Sequence, residues 1–156
     1  MLDEIIRQAE IRLDAQLTAA IAADQRAMTF AGLLFAGAAA VAAIAFGNTT
    51  LLKQDWPWVL AIGFAIAGAM ATASARPSAW EYVGNVPSAW LGDIGLGKRL
   101  HESRAETAEF YDEMLATNET VIRKSGRLMQ YSMLVAILAI IGGLMLLAAS
   151  ISYRSQ

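Results

Sequence analysis

The sequence predicts an all-α integral membrane protein with three transmembrane helices and a cytoplasmic helical stalk. Three runs lack charged residues, at positions 28–47, 57–75 and 131–151. Each has about the 20 residues that an α-helix needs to cross a hydrocarbon core roughly 30 Å thick. Of the 156 residues, 56% are hydrophobic, which leaves room for one small polar subdomain and too little for an independent enzyme domain.

Lys and Arg residues are distributed unevenly around the three predicted spans. Ten of the 12 lie before the first span or between the second and the third, and the other two are Lys53 and Arg154. Cytoplasmic segments of membrane proteins are enriched in these residues. We therefore expect the N-terminus and the segment between spans two and three in the cytoplasm, and the C-terminus outside.

Residues 1–27 are predicted to form an amphipathic stem helix. Apolar residues recur every three or four positions from Leu2 to Ala20 or Ile21, which places them in one stripe. No Gly or Pro interrupts the chain as far as Phe30, so we expect the stem and the first span to be one helix, retained as an anchor. The alternative, a helix lying flat on the membrane, is disfavoured by the mixed signs of its polar face.

Spans one and two, within residues 28–75, are separated by a short outer segment and predict an antiparallel hairpin. Small residues recur at intervals of four in these spans and in the third. The candidate helix-packing positions are Gly32, Ala36, Ala40, Gly63, Ala67 and Gly143. Such spacing lets helix backbones approach closely in lipid. The packing is expected within one chain, with further packing between copies as the alternative.

The predicted spans contain no Asp, Glu, Lys, Arg or His. This disfavours a proton relay, an ion-coupled transporter and a voltage sensor, which depend on such groups. If the protein forms a pore, either small and hydroxyl residues line it or an apolar constriction gates it by dewetting. The candidate hydroxyl residues are Thr72, Ser74, Ser132 and Ser150.

Residues 76–99 are predicted to be an apolar cytoplasmic loop rich in Trp and Gly, which begins at the helix breaker Pro77. It carries more large apolar side chains than a solvated linker would. Either the loop packs against the cytoplasmic helices and the lipid headgroups, or it forms part of a binding surface for a partner or ligand. The candidate partner residues are Trp80, Tyr82 and Trp90.

Residues 92–98 match the spacing G-x-x-x-x-G-K of a phosphate-binding loop. The next position should be Ser or Thr to hold Mg²⁺, and it is Arg99. The chain is also too short for the sheet that such a fold requires, so we do not expect a nucleoside triphosphatase. A Gly-rich helix N-terminus that meets a phosphate with Lys98 and Arg99 is the remaining alternative.

Residues 100–130 are predicted to form a second cytoplasmic helix that runs into the third span, followed by an outer tail, residues 152–156. Apolar positions recur at helical spacing from Leu100 to Leu128. The two cytoplasmic helices therefore have matching apolar stripes, and we expect them to pack together.

The sequence contains no catalytic constellation. Cys is absent, and His101 is the single His, so neither thiolate chemistry nor a Cys-based metal site is available. We therefore expect no enzymatic activity, no cofactor and no metal site.

The layout of the stem Leu2–Ala27, the hairpin Met28–Ala75 and the helix Leu100–Gln130 resembles that of small membrane effectors in bacterial anti-phage systems. These include SLATT-type proteins, which have two spans where this chain has three, and the ion-channel effector of Hailong systems. The resemblance implies a homo-oligomeric pore in the bacterial inner (plasma) membrane, where it depolarises the cell. It also implies control by a nucleotide or oligonucleotide, for which Lys98, Arg99 and Arg104 are the candidate binding residues.

Two other functions are compatible with this layout. One is a non-conducting membrane scaffold or adaptor that recruits a partner through the segment from Trp80 to Leu96. The other is a holin-like lesion former, in which the long structured stalk has no evident use.

Overall fold

The computed structural model describes residues 1–76, 79–84 and 87–154. This part of the chain contains helices and no strand, which confirms the predicted all-α class. The helices are α1 (Leu2–Gly47), α2 (Thr49–Leu52), α3 (Trp56–Ser74), α4 (Pro87–Gly95) and α5 (Leu100–Arg154). Helices α1, α3 and α5 are long and apolar enough to cross a membrane. The predicted helix breaker Pro77 and residues 155–156 of the predicted tail lie outside the described residues.

The chain divides into two compact units. Unit 1 comprises Met1–Ala22 and Pro77–Arg123, and unit 2 comprises Ala23–Arg76 and Lys124–Gln156. Helices α1 and α5 each begin in unit 1 and continue into unit 2 without a non-helical residue. The predicted continuity of each stem with its span is therefore confirmed.

In unit 1, helices α1 and α5 pack through their apolar stripes. Leu13, Tyr111 and Met114 form the buried centre, with Ile6 and Ala9 packed against it. Three polar contacts join the two helices. Their residues occur in the same order along α1 and along α5, so the helices are parallel. These pairs are Asp3 with Arg104, Glu10 with Tyr111, and Gln16 with the carbonyl of Leu115. The predicted packing of the two stems is confirmed.

In unit 2, helices α1 and α3 form the predicted antiparallel hairpin. The rings of Phe46 and Trp58 meet edge to face near the turn, with centroids 5.2 Å apart. Farther from the turn, the ring of Phe35 lies against Gly68. The turn itself is held by Asn48, whose side chain accepts hydrogen bonds from two backbone N–H groups at the start of α2, as is usual for an N-cap residue.

Helix α3 also packs closely against α5. The Cα of Gly63 faces Ala139 so closely that a methyl group on it would overlap the Ala139 methyl group, and Gly143 is similarly covered by Leu60. Ala67 is fully buried, and its carbonyl accepts a 2.7 Å hydrogen bond from Ser132 Oγ. Gly63, Ala67 and Gly143 are thus confirmed as packing positions within the chain.

The other three candidate packing positions do not pack within the chain. Gly32, Ala36 and Ala40 lie on one exposed face of α1. A Cβ added to Gly32 would meet no atom within 4 Å. The prediction of packing within one chain is wrong for these three residues, and packing between copies stays a prediction.

The substitution Gly63→Ala should destabilise unit 2, whereas Gly32→Ala should not. Both replacements gain about 1 kcal/mol of helix propensity, so the difference between them isolates packing. Overpacking at Gly63 should make Gly63→Ala less stable than Gly32→Ala by about 1–3 kcal/mol. Equilibrium unfolding in mixed detergent micelles measures this difference. Equal stability of the two variants would show that α3 and α5 do not approach as closely as described.

Candidate functional site

The candidate ligand and partner residues lie in unit 1, where residues 79–84 and helix α4 run along α5. The predicted loop over residues 76–99 is wrong for residues 87–95, which form α4. Two backbone hydrogen bonds close the end of this helix. Gly97 N–H donates to Ile94 O and Lys98 N–H donates to Asp93 O, both at 3.1 Å. Gly97 has a φ of +67°, which only glycine adopts readily, so it fixes this helix end.

Helix α5 begins one residue after this turn. The backbone N–H of Arg99 donates to Glu102 Oε2 at 3.2 Å, and the Arg99 guanidinium donates to Oε1 of the same carboxylate. A Glu at the third helical position commonly closes a helix start in this way. The hydrogen bonds from Arg99 hold the pKa of the Glu102 carboxyl below its ordinary value.

This local structure excludes the phosphate-binding loop that the spacing of residues 92–98 suggested. The N–H groups of Leu96, Gly97 and Lys98 donate to carbonyls of α4 and are not directed at a ligand. The alternative was a phosphate bound at the start of α5. In the described structure, the Glu102 carboxylate occupies that position and accepts the hydrogen bond of the Arg99 N–H. The glycine spacing therefore reflects a helix end followed by a helix start.

Lys98 joins helix α4 to helix α5. Its Nζ donates to the Glu106 carboxylate at 2.7 and 2.9 Å and lies 3.2 Å from Asp93 Oδ1. Asp93 also accepts a short hydrogen bond from the hydroxyl of Ser103, which is buried. The bond from Ser103, and then that from Lys98, lowers the pKa of Asp93. Asp93 is thus the anchor that fastens α4 to α5.

All three candidate ligand residues have carboxylate partners. Besides Lys98 and Arg99, Arg104 pairs with Asp3 at 2.5 Å and so links α5 to the start of α1. A phosphate that binds these cations would have to displace their carboxylates. In the described state, they hold the segments of unit 1 together.

Asn118 and Tyr111 hold residues 79–84 against α5. The fully buried Asn118 amide donates to the carbonyl of Glu81 and accepts from its N–H, both at 3.1 Å. The Tyr111 hydroxyl accepts from Gly84 N–H at 3.2 Å and donates to Glu10 at 3.3 Å. Burial is the largest cause that raises the pKa of Tyr111. Neither residue was predicted as a site residue, although Asn118 is polar at a position that continues the apolar stripe of α5.

The candidate partner residues differ in exposure. Trp80 and Trp90 are half-buried, whereas Tyr82 is 61% exposed. The most exposed large apolar side chains in the described part of this segment are Leu91, Ile94 and Leu96, at 67%, 74% and 77%. These residues were not predicted as site residues. The available signal was their helical spacing after Pro87, a residue favoured at the first position of a helix.

An open groove follows another side of the α1–α5 pair in unit 1. Arg12, Asp112 and Leu115 line its middle. Gln16 Nε2 donates to the carbonyl of Leu115 at 3.3 Å, but Gln16 Oε1 is buried and has no hydrogen-bond partner in the described part of the chain. Gln16 thus joins α1 to α5 at the edge of this groove.

These side chains join the described segments of unit 1 to one another. Within residues 1–76, 79–84 and 87–154, no group of three acidic or His side chains is placed to hold a metal ion. His101 is exposed at the start of α5. No family model matches the sequence, and no curated protein or solved structure is significantly similar to it.

Replacing Asn118 by Ala should release residues 79–84 from α5. The substitution leaves both backbone groups of Glu81 without their partner, at a cost of about 1–3 kcal/mol. Hydrogen–deuterium exchange of the amides of residues 81–84 should become faster. The exposed neighbour Thr117, changed to Ala, is the matched control. If both variants exchange alike, Asn118 does not hold this segment.

Proposed function

We propose that the protein is a homo-oligomeric, channel-like effector of a bacterial inner membrane, in which unit 2 spans the bilayer and unit 1 regulates it from the cytoplasm. The observation that carries this proposal is the exposed small-residue face of α1. Gly32, Ala36 and Ala40 lie uncovered on it, while the equivalent residues of α3 and α5 are used for packing.

Membrane insertion is supported by the surface of unit 2. Large aliphatic and aromatic side chains are exposed on its helices, among them Leu33 at 68%, Phe46 at 67% and Met145 at 68%. Hydrocarbon accommodates such side chains, and helices satisfy their own backbone hydrogen bonds there. Six of the 12 Lys and Arg residues lie in unit 1 and four more lie within four residues of its boundaries, and this distribution favours a cytoplasmic position for unit 1.

Assembly of several copies is supported by the exposed small-residue face of α1. The face formed by Gly32, Ala36 and Ala40 has the four-residue spacing that allows close helix contact in lipid. A second copy placed against this face would cover it.

A pore between copies would be lined mainly by small and apolar groups. The hydroxyls of Ser132 and Ser74 are buried and donate to the carbonyls of Ala67 and Ala71, so they are not available to line it. Such a pore closes by dewetting when it narrows slightly. A small movement of the helices would therefore switch conduction.

Regulation would act through helices α1 and α5, because each is continuous from unit 1 into unit 2. We propose a nucleotide or oligonucleotide as the regulator, with Lys98, Arg99 and Arg104 as its binding residues. Its phosphates would replace the carboxylates of Glu106, Glu102 and Asp3. That exchange would free α4 and the start of α1 from α5 and so change the packing of the helix pair.

A non-conducting scaffold is the second candidate function. It is favoured by the exposed apolar residues of the segment from Trp80 to Leu96, in particular Tyr82, Leu91 and Ile94. A holin-like lesion former accounts less well for the hydrogen-bonded organisation of unit 1.

The substitution Gly32→Leu should block both assembly and depolarisation. Leucine fills the close-approach surface without disturbing the chain's own packing, because nothing lies within 4 Å of a Cβ at this position. Expression of the unmodified protein should depolarise cells, as followed with a voltage-sensitive dye, and chemical cross-linking should yield oligomers. Gly32→Leu should lose both effects.

Two matched controls accompany this variant. Gly32→Ala keeps a small residue on the face, and Leu33→Phe adds bulk at the exposed neighbouring position. Both should behave like the unmodified protein. Oligomers and depolarisation that persist in Gly32→Leu would refute a pore assembled through this face.

Binding of a nucleotide should respond oppositely to two substitutions. Arg99→Gln removes a phosphate-binding cation and should weaken binding by about ten-fold or more. Glu102→Gln removes the carboxylate that competes for Arg99 and should strengthen binding. Calorimetric titration of the purified protein with ATP and with a short oligoadenylate measures both effects. Failure of both probes to bind saturably would argue against nucleotide control and leave the pore proposal standing.

A further inference from the structure

A polar cavity of about 520 Å³ lies within unit 2, between the turn that joins α1 to α3 and the last residues of α5. We call it the turn cavity. Its lining residues are Thr49, Thr50, Lys53, Gln54, Ser150 and Tyr153. Four of them carry a hydroxyl, one an amide and one an ammonium group. The turn cavity therefore surrounds a single positive charge with further hydrogen-bonding groups.

Lys53 brings the positive charge to the turn cavity. Its side chain is exposed and forms no ion pair with any described residue, in contrast to Lys98, which has two carboxylate partners. Asp55, two residues further along the chain, lines a different groove between α3 and α5. An anion can therefore reach Lys53 in the turn cavity without displacing an acidic side chain.

The amide of Gln54 is oriented to donate hydrogen bonds. Its Oε1 accepts a 2.7 Å hydrogen bond from the indole N–H of Trp56, which leaves the two N–H donors of Nε2 for another partner. The backbone N–H groups of Thr50 and Leu51, in contrast, donate to Asn48. A ligand in the turn cavity would therefore be held by side chains and not by the start of the short helix α2.

The turn cavity lies where the three uncharged runs end. Its turn joins the runs 28–47 and 57–75, and the run 131–151 ends two residues before Tyr153. If these runs cross a membrane, the turn cavity lies at the depth of the lipid headgroups. Tyr153 is 84% exposed, and tyrosine is enriched at that depth.

The chemistry of the turn cavity matches the phosphodiester of an anionic phospholipid. Lys53 supplies one positive charge and a phosphodiester carries one negative charge, whereas a phosphomonoester carries about 1.5 to 2 near neutral pH. Phosphate oxygens accept hydrogen bonds from ammonium, amide and hydroxyl donors. The cationic group of phosphatidylcholine would meet no carboxylate among the lining residues. Basic pockets between membrane helices commonly bind anionic headgroups.

We propose that the turn cavity binds the phosphodiester headgroup of an anionic phospholipid such as phosphatidylglycerol. Lys53 provides the charge, and Gln54 and the two threonine hydroxyls provide further hydrogen bonds. This inference rests on the proposed membrane insertion of unit 2. A lipid bound in the turn cavity contacts the α1–α3 turn and the end of α5 together, so it stabilises unit 2 in proportion to its occupancy.

Thermal unfolding of the full chain in neutral detergent micelles, in a phosphate-free buffer, tests this proposal. Added phosphatidylglycerol should raise the Tm, whereas equal concentrations of phosphatidylcholine or inorganic phosphate should not. Lys53→Gln should require about ten-fold more phosphatidylglycerol for the same rise, because a charged hydrogen-bonding partner is lost. Lys124→Gln is the matched control, since it removes an exposed cation of unit 2 near the opposite end of the third uncharged run. It should titrate like the unmodified protein.

Equal titration of Lys53→Gln and the unmodified protein would overturn the proposal. A rise in Tm with inorganic phosphate would overturn a lipid as the source of the phosphate group, and an equal rise with phosphatidylcholine would overturn selection of an anionic headgroup. Flotation of the protein with vesicles after an alkaline wash measures insertion separately. Flotation without a Lys53-dependent lipid effect overturns this inference alone, whereas loss of the protein from the vesicles overturns the insertion of unit 2 as well.

Discussion

The parallel pairing of α1 and α5 is the constraint on which the rest of the structure depends. Two adjacent parallel helices cannot be joined by a short loop, because the end of the first lies far from the start of the second. Leu13 of α1 and Tyr111 of α5 belong to one buried cluster in unit 1, and Leu34 of α1 and Ala136 of α5 share a cluster with Ala67 of α3 in unit 2. The chain between them must therefore run back in each unit. Helix α3 runs back in unit 2, and residues 79–84 and helix α4 lie along α5 in unit 1.

The return through unit 1 explains its polar contacts. Successive contacts with α5 move toward the start of that helix, from Glu81 with Asn118, to Gly84 with Tyr111, to Asp93 with Ser103. Side chains of α5 thus hold residues 79–84 and helix α4 at three points along the helix. In the proposed regulation, the phosphates of a charged ligand would compete with the carboxylates for these contacts.

The sequence predicts the helices better than it predicts their contacts. Helical periodicity sufficed for α1 and α5, since each is long and its apolar stripe is regular. Helix α4 was missed because it has nine residues and contains two glycines, which resemble loop composition. Gly32 and Gly63 have the same local spacing, and only the three-dimensional arrangement shows that one is exposed and the other is packed against Ala139. The partners of Lys98 depend on the turn at Gly97, whose geometry is not evident from residue spacing.

The decisive measurement is of currents from the purified protein in planar lipid bilayers. We expect discrete, reproducible current steps, because a defined number of copies would enclose a pore of fixed width. Insertion of the protein without any current above the lipid baseline, under conditions that preserve its oligomers, would contradict a channel. The helix pair would then serve a membrane scaffold.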